Sequence, residues 1–370
     1  MPNPSLNQFY TEIIKIIEGG LKREPHKVAQ FARKLAEKAQ LEGDDTLAKG
    51  VRRLLENREP STLSLDKLIN TAPVDSESRL SIVDIFNPDA EPLEIILSDA
   101  IEKRINDFIK VVQQKDKFKS LGLPLQSTLL LHGAPGVGKT SIAKYISMHT
   151  GLPLVIARLD SLISSLLGNT AKNIRQVFEY ADSKPCILFL DEFDAIAKAR
   201  DDQHETGELK RVINSLLQNI DHFSRDNMLV AATNHPELLD KAIWRRFNTI
   251  IEVGRLDEEG IVRMLQSYLG RFNKDFLVDR KKYDKIVALF ALKTPSDIRT
   301  IINNVITRTV IENRKTASAE DLLLEIFYFD THGSYKEEDL VKFLNDNGVT
   351  QVQIAELLDV SVRQIRNNLK

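Results

Sequence analysis

Residues Gly133-Ala134-Pro135-Gly136-Val137-Gly138-Lys139-Thr140 follow the apolar run Thr128–Leu131 and precede Ser141-Ile142-Ala143-Lys144-Tyr145-Ile146. An apolar strand, a glycine-rich turn and a helix in that order make a phosphate cradle. The glycines let successive backbone N–H groups turn inward, and the helix that opens at Lys139, Thr140 and Ser141 points its positive end at the bound anion. Lys139 is expected to reach the β- and γ-phosphates, and the Thr140 hydroxyl to hold Mg²⁺. Roughly fifty residues on, Cys186-Ile187-Leu188-Phe189-Leu190-Asp191-Glu192 reads as an apolar strand ending in two carboxylates. Asp191 is expected to complete the metal site, and Glu192 to orient or deprotonate a water for attack on the γ-phosphate. Together the two stretches imply a chain that binds and hydrolyses a nucleoside triphosphate, with Mg²⁺ as the expected metal.

The composition limits what surrounds that engine. The chain has 370 residues, enough for two or three domains with sizeable cores. A formal net charge of −2 gives no general attraction to nucleic acid or to an anionic membrane. The one cysteine, Cys186, rules out an intramolecular disulfide framework and fits a reducing compartment. The N-terminus shows no charged and apolar leader, and no apolar run is long enough to span a bilayer. A soluble cytoplasmic protein without membrane contact is the expectation.

Hydrophobic spacing divides the chain into five parts. In residues 1–58, Phe9, Ile13, Ile14 and Ile17 recur at helical intervals, as do Val28, Phe31, Ala32 and Leu35. Gly19-Gly20 and Gly43-Asp44-Asp45 read as the breaks between helices of this N-terminal module. The module is either a stabilising extension or a docking element. Residues 59–91 are rich in Pro, Ser, Thr, Asp and Asn and read as a linker. In residues 92–254, an amphipathic helix from Ser98 precedes strands at Thr128–Leu131, Leu152–Ala157, Cys186–Leu190 and Met228–Ala232, separated by helical stretches. That alternation implies a parallel sheet with crossover helices, and such sheets bind ligands beyond the carboxyl ends of their strands. Thr140, Asp191 and Asn234 all fall at such ends. Residues 255–330 read as a helical subdomain, and 331–370 as a separate C-terminal segment.

Three further stretches resemble one family. Ala231-Ala232-Thr233-Asn234, followed by Pro236, Leu239-Asp240 and Trp244-Arg245-Arg246-Phe247, is similar to the second region of homology of the AAA proteins. These are the subgroup of AAA+ ATPases that includes katanin and spastin. Ser164-Ser165-Leu166-Leu167-Gly168 with Asn173-Ile174-Arg175 resembles their first pore loop and the helix after it. Thr294-Pro295-Ser296-Asp297-Ile298 stands where they carry a lid helix. The resemblance implies an α/β P-loop NTPase core with a helical lid. It also implies Asn234 as the polar sensor of the γ-phosphate and Arg245 and Arg246 as arginine fingers acting on a neighbouring subunit. A closed ring, usually of six, follows from such head-to-tail contacts, and Leu166, Leu167 and Gly168 would face a protein substrate in its pore.

The chain departs from the family pattern at several positions. Leu166 stands where the pore loop is usually aromatic, Ser296 offers no sensor arginine although Arg299 lies one turn on, and His235 replaces the usual Arg. Residues 200–207 fall at a second pore loop and read equally as a solvated loop. The run Ala157–Ala171, with Asp191–Lys198 and Trp244–Phe247, resembles a bacterial branch typically encoded beside a subtilisin-like serine protease, in plasmid-stability or anti-phage modules. No protease constellation occurs in this chain, so such a protease would be a separate partner.

The last stretch, Gln353-Ile354-Ala355 to Ile365 and Leu369, fits the apolar skeleton of a helix-turn-helix, with Ser361 as the cap of its second helix. Arg363, Gln364, Arg366, Asn367 and Lys370 are residue types that read bases or phosphates. Against DNA contact, residues 335–370 hold five Lys/Arg and six Asp/Glu, whereas DNA-binding domains are usually basic. The favoured reading is a ring-forming ATPase that remodels or delivers a protein substrate. The alternative is a DNA-directed AAA+ ATPase that uses this tail as its reader.

Overall fold

A computed structural model describes residues 9–21, 31–56 apart from 33, 37 and 41–43, 72–74, 81–89, 95–123, 127–159, 162, 170–195, 206–223, 227–270, 272 and 280–369. Six strands form one sheet in the order β1-β3-β4-β5-β2-β6. They are β1 (Asp84–Phe86), β2 (Ser127–His132), β3 (Leu154–Arg158), β4 (Ile187–Asp191), β5 (Met228–Thr233) and β6 (Thr249–Glu252). The four strands expected from the sequence are present within two residues of their expected starts. The two edge strands were not expected, being three and four residues long and too short for a periodic signal. β1, inside the stretch read as a linker, pairs antiparallel with β3, and β6 pairs parallel with β2. The sheet is therefore mixed.

The chain divides into two compact units. The first comprises residues 1–91, 147–190 and 204–229. In it, α1 (Tyr10–Leu21) and α2 (Asp45–Glu56) belong to a small cluster around Phe9, Leu35, Ala39 and Ala48. Gly19 and Gly20, expected to separate helices, lie in the last turn of α1. Asp44 accepts from the Leu47 N–H at 3.0 Å and so starts α2, as the second expected break required.

The second unit comprises residues 92–146, 191–203 and 230–370. It holds α3 (Asp99–Gln113), α4 (Lys115–Ser120), β2 and most of α5 (Lys139–Thr150). The first unit also contains α6 (Thr170–Asp182) and α7 (Thr206–His222); the second continues with the four-residue α8 (Lys241–Trp244). Beyond β6 come α9 (Glu258–Leu269), α10 (Arg280–Ala291), α11 (Pro295–Ile311) and α12 (Ala319–Thr331). The last three helices are α13 (Glu337–Asp346), α14 (Gln351–Leu358) and α15 (Val362–Asn368).

Helices α9 to α15 share a single apolar core. Ile261, Phe290, Ile302 and Leu323 are buried in it together with Leu344, Ile354 and Ile365 of the C-terminal segment. Phe327 on α12 meets Phe343 at 5.2 Å and Tyr335 at 5.3 Å between ring centroids. Asp359 ends α14 in the left-handed conformation (φ 53°), a position Asp tolerates better than most residues, and Ser361 caps α15 by accepting from the Gln364 N–H. Ile354 and Ile365 are fully buried, and Leu358, Val360 and Leu369 partly. Among the described residues no helix is long and apolar enough to cross a membrane.

Candidate active site

β2 runs into the glycine turn because its last pairing, His132 with Glu252, brings the two strand ends together. The Val253 N–H then donates to the His132 carbonyl at 2.7 Å. Gly133 follows at φ 146°, and a Cβ there would sit 2.2 Å from the Val253 carbonyl oxygen, so no larger residue fits. Gly136 has φ 81° and lies against the capping Thr294 of α11, whose hydroxyl a Cβ would approach to 2.8 Å. The Gly136 carbonyl accepts from the Ser296 N–H at 3.1 Å. Pro295 in the first turn and a capping box between Thr294 and Asp297 fix that end of α11. The turn is thus held between β6 and α11, while a Cβ on Gly138 would meet nothing within 4 Å.

Lys139 is 7% exposed, and its ammonium donates to the Gly133 and Ala134 carbonyls at 2.7 and 2.9 Å and to Asn234 Oδ1 at 2.6 Å. Burial lowers its pKa, against the opposing pull of Asp191 and Asp194. The Thr140 hydroxyl donates to Asp191 Oδ2 at 3.0 Å, which places at one point the two oxygen ligands expected of the metal. Glu192, exposed and at φ 54°, is left-handed, and its N–H donates to Asp191 Oδ1 at 3.0 Å. For a glutamate that conformation carries backbone strain, which active sites among other places can hold.

Pro135, Gly136, Val137, Gly138, Lys139, Thr140, Ser141, Asp191, Glu192 and Asn234 line one cavity of about 390 Å³, a size that suits a nucleotide. Donors, an ammonium and an open glycine stand on the phosphate side, and Ile95, Ile96, Met264 and Tyr268 form an apolar wall. Mg²⁺ fits the paired Thr140 hydroxyl and Asp191 carboxylate, which are hard oxygen donors.

Three features were not assigned from the sequence. Asp194 is 2% exposed and accepts from the Thr233 hydroxyl at 3.0 Å and the Asn234 N–H at 3.1 Å, so it sets the turn that carries Asn234. It lies two residues past the carboxylate run that ends at Glu192, and no spacing rule distinguishes it. Arg299 lines the cavity from one turn inside α11, with its guanidinium 5.6 Å from the Tyr268 ring centre. The apolar wall comes from α9 and from the stretch before α3.

Arg245 and Arg246 are not among the residues lining this cavity. Arg245 is exposed, and Arg246 Nη1 donates to the Ala242 carbonyl at 2.7 Å. His235 binds Glu237 Oε1 at 3.0 Å and is also outside the cavity lining. Leu166, Leu167 and Gly168 of the expected pore loop, and most of 200–207, lie outside the described residues.

The family described as ATPase family associated with various cellular activities (AAA) matches residues 129–255. A Sinorhizobium fredii protein named uncharacterized AAA family ATPase y4kL is 34% identical over 290 residues, covering 78% of this chain and 86% of that protein. The proteasome-activating nucleotidase of Methanosphaerula palustris is 28% identical over 290 residues, 75% of this chain and 66% of its own length. The ATP-dependent zinc metalloprotease FtsH of Lancefieldella parvula is 32% identical over 231 residues. That alignment covers 60% of this chain and 35% of the metalloprotease, so the chain spans about a third of that protein.

Proposed function

The chain belongs to the AAA family of ATPases, and from that premise we propose that it works as a ring, usually of six, that remodels or delivers a protein substrate. It is an enzyme that hydrolyses ATP and uses Mg²⁺. The observation that carries the reading is the division of the catalytic groups. Lys139, Thr140, Asp191, Glu192 and Asn234 converge on one cavity, while the Arg245–Arg246 pair is absent from its lining.

In this reading the phosphate oxygens meet the Lys139 ammonium and the backbone N–H groups of residues 136–141. Thr140 and Asp191 would hold Mg²⁺, which would supply positive charge against the phosphates. Glu192 accepts a proton from the attacking water, a contribution of about 10²–10⁴ in rate. Asn234, set by Asp194, orients that water. Arg245 and Arg246 reach the nucleotide of the adjoining subunit, and a finger of this kind supplies about 10³–10⁵ in kcat. The active site is then complete only between subunits.

Similarity to a proteasome-activating nucleotidase and to an ATP-dependent protease supports a protein as the substrate. We assign the protease role to a separate subtilisin-like serine protease in a bacterial defence or plasmid-stability module, as the resemblance to that branch implies. The lid is α9–α12, with Ser296 of α11 bonded to the phosphate turn.

ATPase activity tested with an unfolded protein and with duplex DNA separates the two classes of substrate. Stimulation by the protein, together with an ATP-dependent sixfold mass by mass photometry, is expected. Stimulation by DNA alone, or full activity as a monomer, would overturn the proposal.

A further inference from the structure

The Arg245–Arg246 pair is bracketed by two aromatic residues, and each ring meets a neighbour of a different half of the chain's own nucleotide site. Trp244 meets His132 edge-on, with centroids 5.6 Å apart and planes at 74°. His132 is the residue immediately before Gly133 and the phosphate turn. Phe247 meets Phe193 edge-on at 5.9 Å and 87°. Phe193 is the residue immediately after Glu192, and its N–H donates to the Ala232 carbonyl at 2.8 Å.

Both contacts are built to hold an orientation. The Trp244 indole N–H donates to the Leu239 carbonyl at 3.2 Å, which fixes the ring in rotation as well as in position. Asp240 caps the short helix α8 by accepting from the Ile243 N–H at 2.9 Å. Phe193 is fully buried and Phe247 nearly so. Edge-to-face pairs favour particular separations and tilts. A helix of four residues has little rigidity of its own, and the two rings flank Arg245 and Arg246 at its end.

We propose that Trp244 and Phe247 are positioning residues: they register the finger pair against the phosphate turn, through His132, and against the carboxylate strand, through Phe193. The proposal rests on the reading of Arg245 and Arg246 as fingers acting in trans. It adds that each subunit aims its fingers from the two shoulders of its own nucleotide site.

Ordinary core packing predicts that losing Trp244 harms any subunit alike. A positioning role predicts harm only in the subunit that donates fingers. The test mixes two variants shown by differential tags to co-assemble. The acceptor, Arg245→Ala with Arg246→Ala, keeps an intact phosphate turn; the donor, Lys139→Ala, has a silent site but intact arginines. The control mixture should recover hydrolysis. Adding Trp244→Leu to the donor should cut the recovered rate at least tenfold, while the same substitution in the acceptor should change it less than twofold. Trp244→Phe in the donor, which keeps a ring edge on His132, should restore at least half of the rate. Phe247→Leu carries the same comparison should Trp244→Leu fail to assemble. Similar losses from both placements would overturn the positioning role and leave the fingers standing. No recovery in the control mixture would overturn the finger reading and this inference with it.

Discussion

The Lys139 ammonium donates to Asn234 Oδ1 at 2.6 Å across 95 residues of sequence, so the phosphate turn and the end of β5 form one polar unit. Asp194 secures the far side of that unit by accepting from the Asn234 N–H and from the Thr233 hydroxyl. The cation that meets the phosphates and the amide assigned to the water are thereby held in mutual register.

Substitution on the two sides of this unit should separate binding from chemistry. Lys139→Ala removes the charge on the phosphates and should abolish nucleotide binding by calorimetry. Asp194→Asn keeps the shape but weakens two hydrogen bonds to a charged acceptor, and should leave ATP affinity within about threefold. Its kcat should fall by about 10², the scale of a misaligned polar group in a transition state. A matching loss of affinity would mean that Asp194 supports the whole site and not Asn234 in particular.

The buried Asp321 is expected to make the stability of the helical bundle fall in acid. Burial raises its pKa, but two hydrogen bonds from Arg314, at 2.7 and 3.0 Å, together with those from Ser318, outweigh burial and hold it below the ordinary carboxylate range. A folded pKa below the unfolded one gives stability that is complete above the unfolded value and is lost as pH falls through the folded value. Arg314→Leu should cost about 2 kcal/mol near neutral pH by chemical denaturation, because it strands a buried carboxylate. The variant should also lose less stability than the parent between neutral and acidic pH. An unchanged acid profile would contradict the role given to this pair.

The C-terminal helices are expected to serve protein contact rather than DNA. Gln364 Nε2, on the face of α15 that a reader would present, donates to Glu337 of α13 at 3.2 Å, and Arg366 Nε donates to Gln351 at 3.3 Å. Two of the candidate reading side chains thus have intramolecular partners. The full chain should show no nanomolar, salt-steep affinity for duplex DNA, and Arg363→Ala with Arg366→Ala and Lys370→Ala should leave ATPase activity unchanged. A log–log salt slope that falls by about one per substituted cation would show phosphate contact and favour the DNA-directed alternative.

Residues that act through contiguous motifs were legible in the sequence. Gly133 to Ser141, Asp191, Glu192 and Asn234 stand at strand ends, where backbone geometry and chemistry impose local patterns, and folding brings most of them to one cavity. Residues that reach the cavity from separate elements carry no such pattern, and Arg299 stands out only by its place one turn past Ser296. Arg299, Met264 and Tyr268 are placed by the packing of α9 and α11. Periodicity likewise shows that Leu344, Ile354 and Ile365 are apolar, but not that they share a core with α9–α12. β1 and β6 carry no periodic signal because three or four residues cannot establish a period, although Val253, just past β6, dictates the glycine at 133.

In the proposed mechanism Glu192, which follows β4, activates the water that cleaves ATP. ATP binding and steady-state hydrolysis by Glu192→Gln test it most directly, since the amide keeps the shape of the side chain and cannot take up the proton. ATP affinity within about threefold of the parent, with turnover reduced at least about 10²-fold, is the expected result. Turnover near the parental rate at full ATP occupancy would contradict it.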